Sequence, residues 1–181
     1  SRTGTSPQSN LAAEPRPDRR IVVSIPDRRL ALLENGRVVR IYPVGVGAEV
    51  SPSPAGEFKI VHRIPQPTYY APGKVIPPGP ANPLGTRWLG LSQKSFGIHG
   101  TNEPWSIGRN SSHGCIRMRN RDVEDLFERV RAGDRVELVA GRTNELAQIF
   151  GVPRAPATLS AEQGKGRSAA ATAVVAAVTM P

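Results

Sequence analysis

The amino-acid sequence predicts a mainly β fold with one or two helices. Three observations support this prediction: short apolar runs separated by turn residues, a high content of glycine and proline, and a single stretch with a clear helical period. With 18 Gly and 18 Pro in 181 residues, a helix bundle is disfavoured. A chain of this length is expected to hold one sizeable core with flanking tails rather than two domains.

The first three predicted strands lie at the start of the expected domain. They cover residues 21–25, 29–34 and 37–46. Between the second and the third stand Asn35 and Gly36, and both residue types tolerate the positive φ that a type I′ turn requires. The sequence therefore predicts a β-hairpin at this point.

A fourth strand and a long proline-rich segment follow. Residues 57–64 alternate between apolar and mostly polar side chains, which predicts a strand whose apolar face includes His62 as a core or structural imidazole. Residues 65–85 hold seven prolines. Because proline has no N–H to donate to a β-ladder, we expect an ordered loop or flap rather than sheet. Long loops within a domain are often functional lids.

The second half of the domain contains the predicted helix. Strand character returns at 87–92 and 94–100, before a polar loop from Thr101 to Ser112. Asn120 is then predicted to cap a helix whose apolar residues recur at helical spacing. These residues are Val123, Leu126, Phe127 and Val130. A last strand is predicted at 135–139.

The sequence divides into three parts by composition. Residues 1–18 are rich in turn formers and predict a flexible linker, whereas residues 19–140 carry the strand and helix patterns. Residues 141–181 are of low complexity and predict a disordered tail, in which residues 143–150 allow a short helix. No stretch approaches the ~20 apolar residues of a membrane helix.

The net charge of +9 belongs mostly to the expected domain. Residues 19–140 hold 18 Lys and Arg against 11 Asp and Glu. Such a surface favours polyanions, anionic membranes or an acidic matrix such as a cell wall. The arginines are scattered, without a basic helix or an aromatic RNA-binding pattern, so nucleic acid is not the expected partner.

The only cysteine, Cys115, lies in a Ser-His-Gly-Cys-Ile-Arg-Met run at 112–118, and His99 lies in a Gly-Ile-His-Gly-Thr run at 97–101. One cysteine excludes an intramolecular disulfide. A reactive thiol needs a base or cation to lower its pKa from about 8.5 toward about 3.5–7.5, and an imidazole supplies one. His99 is the better base, since His113 is only two positions from Cys115. Without such a partner, Cys115 would be a buried, inert thiol.

Gly114 stands between these two residues and gives the loop conformational freedom. The amide N–H groups of residues 113–115 could therefore converge on a developing oxyanion, where one donor contributes about 2.7–4 kcal/mol. A zinc site formed by His99, His113 and Cys115 with His62 is a chemical alternative. The His-x-Cys pair lacks the usual ligand gap, so we favour no metal.

The two motifs together resemble the L,D-transpeptidase catalytic domain (YkuD-like). Similar stretches also lie at 51–58, 75–80 and 82–85, and the resemblance runs from about Arg19 to Val139. The closest likeness is to the periplasmic ErfK/YbiS-type subset. The resemblance implies a β-sandwich-like fold with a helix across one end and a cysteine nucleophile in a substrate tunnel.

Carried over by position, the resemblance implies a set of residue roles. Cys115 is the nucleophile, His99 the base, and the Gly100 carbonyl orients the imidazole. The amides of His113, Gly114 and Cys115 form the oxyanion hole. Arg117 and Ser112 also match the motif, either as substrate contacts or as braces of the loop. Trp105 is a candidate pocket floor or packing anchor, and Tyr70 of the flap is a candidate substrate contact.

The implied reaction is acyl transfer on peptidoglycan stem peptides. Cys115 attacks the carbonyl of the L-centred third residue of a tetrapeptide, and D-Ala leaves. An amine of a second stem, a lysine of an anchored outer-membrane protein, or water then resolves the thioester. The resemblance further implies no cofactor, acylation by carbapenems, a monomer, and a periplasmic or cell-envelope location. No signal-peptide pattern is present in this sequence. A cell-wall-binding module is the non-enzymatic alternative.

Overall fold

The computed structural model describes residues 16–48 and 52–151. Most of the predicted linker and the predicted tail beyond residue 151 lie outside these ranges. The described residues divide between Thr143 and Asn144 into two units. The first holds all of the strands and helix α1, and the second contains helix α2, Asn144–Phe150, where the sequence allowed a short helix.

The described part of the chain is mostly β, with two α-helices, as predicted. The strands are β1 Arg19–Ser24, β2 Arg29–Glu34, β3 Arg37–Pro43, β4 Val46–Gly47, β5 Gly56–Pro65, β6 Tyr69–Ala71, β7 Lys74–Ile76, β8 Arg87–Leu91, β9 Gly97–His99, β10 Asn110–Ser112, β11 Ile116–Arg117 and β12 Arg135–Val139. Helix α1 is Asn120–Arg129, and a 3₁₀ turn covers Pro104–Ser106. Neither α-helix has the length and apolar character needed to cross a lipid bilayer.

Eight strands form one mixed sheet in the order β11-β9-β8-β5-β12-β1-β2-β3. Two small sheets, β10-β4 and β6-β7, accompany it. Tyr42 on one outermost strand and Ile116 on the other belong to the same buried cluster as Ile60 in the middle. Both edges therefore face one core, which requires the sheet to curl around it. Helix α1 contributes Val123 and Leu126 to that core.

The predicted hairpin between β2 and β3 is confirmed. Asn35 has φ +52° and Gly36 has φ +79°, so both central residues adopt the positive φ of a type I′ turn. The two strands pair in antiparallel register from Arg29↔Pro43 to Glu34↔Arg37, with one irregularity after Leu32.

Two expectations for the chain between residues 57 and 85 are corrected. His62 is exposed, not in the core, because the β5–β8 register shifts between Ile60 and His62 and the simple alternation of faces ends there. The proline-rich flap, residues 65–85, contains the antiparallel pair β6–β7 around Gly73. The prolines lie outside these two short strands, so they do not remove ladder donors there.

Asn120 is not the N-cap of α1. Arg119 occupies that position without a side-chain cap, and Asn120 is the first helical residue. Its Oδ1 instead accepts hydrogen bonds from the backbone N–H groups of Thr101, at 3.1 Å, and Thr86, at 3.3 Å. Gly85 and Gly100 leave the space that this amide fills, because a Cβ on either would overlap it. Asn120 thus ties α1 to the chain that follows β9.

Gly85→Ala should strongly destabilise the protein. Gly85 has φ +65°, and an added Cβ would overlap both the Asn120 Oδ1 and the backbone N of Thr101. We expect a loss of at least about 2 kcal/mol in the free energy of unfolding, measured by urea denaturation. Gly141→Ala is the matched control, since no atom lies within 4 Å of its added Cβ. Equal urea midpoints for the two variants would contradict this packing.

Candidate active site

Strand pairing places Trp88, His99 and Arg117 side by side across three neighbouring strands. Trp88 of β8 pairs with His99 of β9, and His99 pairs with Arg117 of β11 in parallel. Directly paired residues point to the same face of a sheet, and residues two apart on one strand share that face. Cys115 lies in the bend just before β11, and its side chain lines the same cavity as those of His99 and Arg117.

These side chains line one cavity of about 700 Å³. Its wall includes Trp88, His99, Ser112, His113, Cys115 and Arg117. The flap supplies much of the remaining wall through residues 66–70, Pro83 and Leu84. Tyr70, the predicted flap contact, lines the cavity while its side chain stays 75% exposed. The structure thus brings six of the nine predicted site residues, all but Trp105, Gly100 and Gly114, to one cavity wall.

His99 is buried, and its surroundings fix its tautomer. Nδ1 lies 2.5 Å from the carbonyl oxygen of Gly100. Because a carbonyl only accepts, Nδ1 carries the proton and Nε2 is left as an acceptor. The ring stacks on Trp88 with centroids 5.7 Å apart. Burial lowers the pKa of His99 to about 4, with the Gly100 hydrogen bond opposing the shift and the Arg117 charge adding to it.

Cys115 does not have the lowered pKa expected from the sequence. Burial raises the pKa of the thiol, although a hydrogen bond from the Gly97 backbone and the charge of Arg117 act in the opposite direction. Its Sγ lies 3.7 Å from the Ser95 carbonyl oxygen, the position of a weak S–H···O bond. The pair at rest is therefore a neutral thiol and a neutral imidazole, because desolvation disfavours both charged forms.

Two serine hydroxyls brace the loop that carries Cys115. The Ser112 hydroxyl donates to the Cys115 carbonyl at 2.6 Å and accepts from the Gly114 N–H at 3.2 Å. The Ser53 hydroxyl donates to the Gly114 carbonyl at 2.7 Å and accepts from Gly47 N–H at 2.9 Å. Of the two roles considered for Ser112, these contacts support the loop brace. Ser53 carried no signal beyond its place in a Ser-Pro-Ser-Pro-Ala-Gly stretch.

The expected set of three oxyanion amides is also corrected. The Gly114 N–H is already donated to the Ser112 hydroxyl, so it does not point freely into the cavity. Gly114 has φ +121°, which only glycine adopts readily, and this conformation shapes the loop between His113 and Cys115. The amides of these two flanking residues remain as candidate donors.

Arg117 has a charged partner that the sequence did not reveal. Its guanidinium lies 3.5 Å from the Glu103 carboxylate, and its side chain is only 15% exposed. The charge favours a thiolate at Cys115 and disfavours an imidazolium at His99. Arg117 therefore stabilises an anion formed at sulfur while keeping His99 in its basic, neutral form.

A protein-family model matches the part of the chain that forms this cavity. The model of the L,D-transpeptidase catalytic domain, YkuD, matches residues 18–138. The chain belongs to this family. The predicted resemblance, from about Arg19 to Val139, is thereby confirmed.

Named relatives carry the same domain in longer chains. The YkuD protein of Bacillus licheniformis is 45% identical over 119 residues, which cover 66% of this chain and 64% of the relative. The YbiS protein of Escherichia coli K12 is 34% identical over 135 residues, which cover 66% of this chain and 44% of the relative. Both are named as L,D-transpeptidases. The chain thus spans less than two thirds of these relatives, and the Bacillus protein shares more identity than the predicted ErfK/YbiS-type subset.

Solved L,D-transpeptidase structures share the fold. An enzyme from Mycobacterium smegmatis superposes with a TM-score of 0.58 at 21% identity, covering 68% of this chain and 59% of the other. An L,D-transpeptidase in complex with imipenem gives 0.57 at 23% identity, with the same coverage of 68% and 59%. The expected L,D-transpeptidase fold is confirmed, with a curled sheet as its main layer.

The structure supports neither Trp105 as a pocket floor nor the zinc alternative. Trp105 does not line the cavity; it sits in the 3₁₀ turn with its side chain 63% exposed, because the turn buries Ser106 instead. Within residues 16–48 and 52–151, no three His, Cys, Asp or Glu side chains come together as metal ligands. His62, the expected fourth zinc ligand, lies outside the cavity wall.

A single buried amide holds the flap over the cavity. Asn82 is fully buried, and its Nδ2 donates to the carbonyls of Pro67, at 2.9 Å, and Ile76, at 3.2 Å. It also contacts the Pro77 carbonyl at 3.3 Å, while Oδ1 accepts from Leu84 N–H at 2.8 Å. These bonds join both sides of the β6–β7 hairpin to the turn at residues 82–84. The flap is therefore a fixed part of the cavity wall.

Asn82→Asp should loosen the flap, although the substituted side chain has almost the same shape. The variant keeps an acceptor for Leu84 N–H but places carboxylate oxygens against backbone carbonyls. We expect a loss of about 2–4 kcal/mol in stability and faster hydrogen exchange confined to residues 66–84. Asn102→Asp adds the same charge at an exposed side chain and serves as the control. Unchanged exchange in the flap of the Asn82 variant would contradict this role.

Burial of neutral His99 should make stability depend on pH. The unfolded imidazole binds a proton near pH 6.5, whereas the folded one has a pKa of about 4. The unfolded state thus binds more protons in this window, and stability falls as pH drops from 6.5 to 4. His99→Gln should lack this component in urea denaturation across that range. His62→Gln, which leaves His99 in place, should retain it; a His99 variant with the wild-type slope would contradict the assignment.

Proposed function

We propose that this chain is a peptidoglycan L,D-transpeptidase that uses Cys115 as its nucleophile. The observation that carries the proposal is the shared cavity of Cys115, His99 and Arg117 in a member of the L,D-transpeptidase catalytic family. The substrate is a tetrapeptide stem with a carbonyl on its L-centred third residue and a terminal D-Ala. No metal or organic cofactor takes part.

The acylation step begins from the neutral pair. Sγ of Cys115 attacks the third-residue carbonyl while its proton passes to Nε2 of His99, which the Gly100 contact leaves unprotonated. Arg117 stabilises the negative charge at sulfur during this transfer. The amides of His113 and Cys115 donate to the tetrahedral oxyanion. His99 then returns the proton to the amine of D-Ala, which leaves, and a thioester on Cys115 remains.

The second step transfers the acyl group to an acceptor amine. The side-chain amine of a second stem attacks the thioester, His99 accepts the released proton, and the thiol is restored as the 3→3 cross-link forms. The same acyl-enzyme can pass to a lysine of an anchored outer-membrane protein, or to water as a carboxypeptidase. The family name, L,D-transpeptidase, supports transfer to an amine.

The proposal includes the domain boundaries and the cellular location of the protein. Residues 19–140 form the catalytic domain between a linker at 1–18 and a tail at 141–181, and the protein acts as a monomer in the periplasm or cell envelope. The basic surface, with most of the +9 charge in this domain, is suited to an anionic wall. A non-catalytic wall-binding module with this fold is the second candidate, and the placement of a thiol and an imidazole in one cavity argues against it.

Cys115 should form a covalent adduct with imipenem and with tetrapeptide muropeptides. Mass spectrometry of the intact protein should show one adduct in the wild type and none in Cys115→Ala. His99→Ala should slow acylation by about 10²-fold or more, since general-base catalysis contributes 10²–10⁴. His62→Ala, which removes an imidazole outside the cavity, should acylate normally. An adduct that survives Cys115→Ala would exclude the mechanism. A wild-type protein that turns over no more substrate than Cys115→Ala would favour the binding module.

Product analysis should identify the acceptor. With tetrapeptide donor alone, cross-linked dimers indicate transfer to a stem amine, whereas tripeptides indicate hydrolysis. Addition of a lysine-bearing acceptor peptide tests transfer to protein by the appearance of a linked stem. We expect dimers as the main product; tripeptides alone would assign carboxypeptidase activity instead.

A further inference from the structure

A second cavity of about 580 Å³ adjoins the one that contains Cys115. Both cavities are lined by Gln66 of the flap. The second is also lined by Asn82, Thr101, Asn102, Arg119 and Arg121. Thr101, which lines the second cavity, is only two residues after His99, the proposed base. The proposed mechanism uses none of these lining groups.

The lining has the chemistry of an anion site. It contains two guanidinium groups and several amides and hydroxyls, and no carboxylate side chain belongs to it. Asp122 is the acidic residue beside the two arginines, and it lies 4.0 Å from each of them. A single contact at that distance leaves most of the five N–H donors of each guanidinium for another acceptor. Arginine binds carboxylates through two parallel N–H···O bonds.

Hydrogen bonds hold two of the asparagines that line this cavity. Asn82 is held by its bonds to the flap backbone, and Asn120, another lining residue, is held by the N–H groups of Thr86 and Thr101. These parts of the wall lose little conformational entropy on binding, whereas the side chains of Arg119 and Arg121, 41% and 82% exposed, are ordered only when they bind an anion. The volume falls within the range of small-ligand sites.

We propose that this second cavity binds a free carboxylate group of a peptidoglycan peptide. The inference rests on the proposed function, since it takes the ligand from the same acidic polymer. The carboxylate comes either from the peptide that acylates Cys115 or from a second peptide. In either case, binding energy from a part of the substrate that does not react positions the part that does.

Binding should be measured on the full chain carrying Cys115→Ala, which prevents turnover. The ligands are a disaccharide tetrapeptide with free carboxylates and its fully amidated counterpart. In NMR titrations the free acid should shift Thr101 and Asn102 resonances, and Arg119→Gln or Arg121→Gln should weaken its binding at least fivefold. Arg37→Gln removes the same charge on β3, at the far edge of the sheet, and should bind as the parent does. The amidated ligand should bind the parent and the Arg119 variant equally.

Wild-type protein acylated by imipenem distinguishes the two sources of the carboxylate. If added tetrapeptide still shifts Thr101 and Asn102, a second peptide fills the cavity; if these shifts vanish, one peptide spans both cavities. Two outcomes would overturn the inference. In the first, the Arg119→Gln and Arg121→Gln variants bind the free acid as tightly as the Arg37→Gln variant does. In the second, the ligand shifts only resonances of residues that line the Cys115 cavity. Failure of imipenem to acylate Cys115 would instead count against the proposed function, and the titrations would still decide the carboxylate site.

Discussion

The parallel pairing of β9 with β11 is the constraint on which the candidate site depends. It sets Arg117 opposite His99, and the antiparallel pairing of β8 with β9 sets Trp88 on the other side of the same imidazole. Parallel neighbours need a long crossover, and the chain between His99 and Ile116 supplies it with a 3₁₀ turn and β10. That crossover returns Cys115 to the level of the base. A slip of one residue in this register would turn the side chains to the opposite face.

Burial then decides the charge state of the two reactive groups. The cavity disfavours both an imidazolium at His99 and a thiolate at Cys115, so the free protein holds the pair neutral. Arg117 acts on both groups in the direction that suits a base and a nucleophile. In the proposed mechanism the proton moves as the substrate carbonyl is attacked, so no charged pair has to be maintained beforehand. A neutral thiol is less reactive toward electrophiles than a thiolate.

Side-chain amides organise the irregular segments around this centre. Asn82 satisfies backbone groups on both sides of the flap, where prolines prevent regular pairing, and Asn120 satisfies N–H groups next to the loop after β9. Ser53 and Ser112 do the same for the loop that carries Cys115. Buried backbone groups need such partners, because an unpaired one costs about 1–3 kcal/mol. The strands fix the row of reactive residues, and these four polar side chains fix the walls around it.

Local features of the sequence determined the hairpin at Asn35 and Gly36, the apolar face of α1, and the candidate pair His99 and Cys115. Each depends on neighbouring residues or on a short motif: positive φ at a turn, a 3.6-residue period, or a thiol and an imidazole within glycine-flanked runs. Tertiary structure alone decided that a bulge turns His62 outward, that Asn120 ties loops instead of capping its helix, and that the Gly114 amide is occupied. It also decided the pKa of Cys115 and the exposure of Trp105. The reason is physical: register shifts, hydrogen bonds between distant segments and desolvation depend on which residues meet in space, and a linear pattern carries that information only weakly.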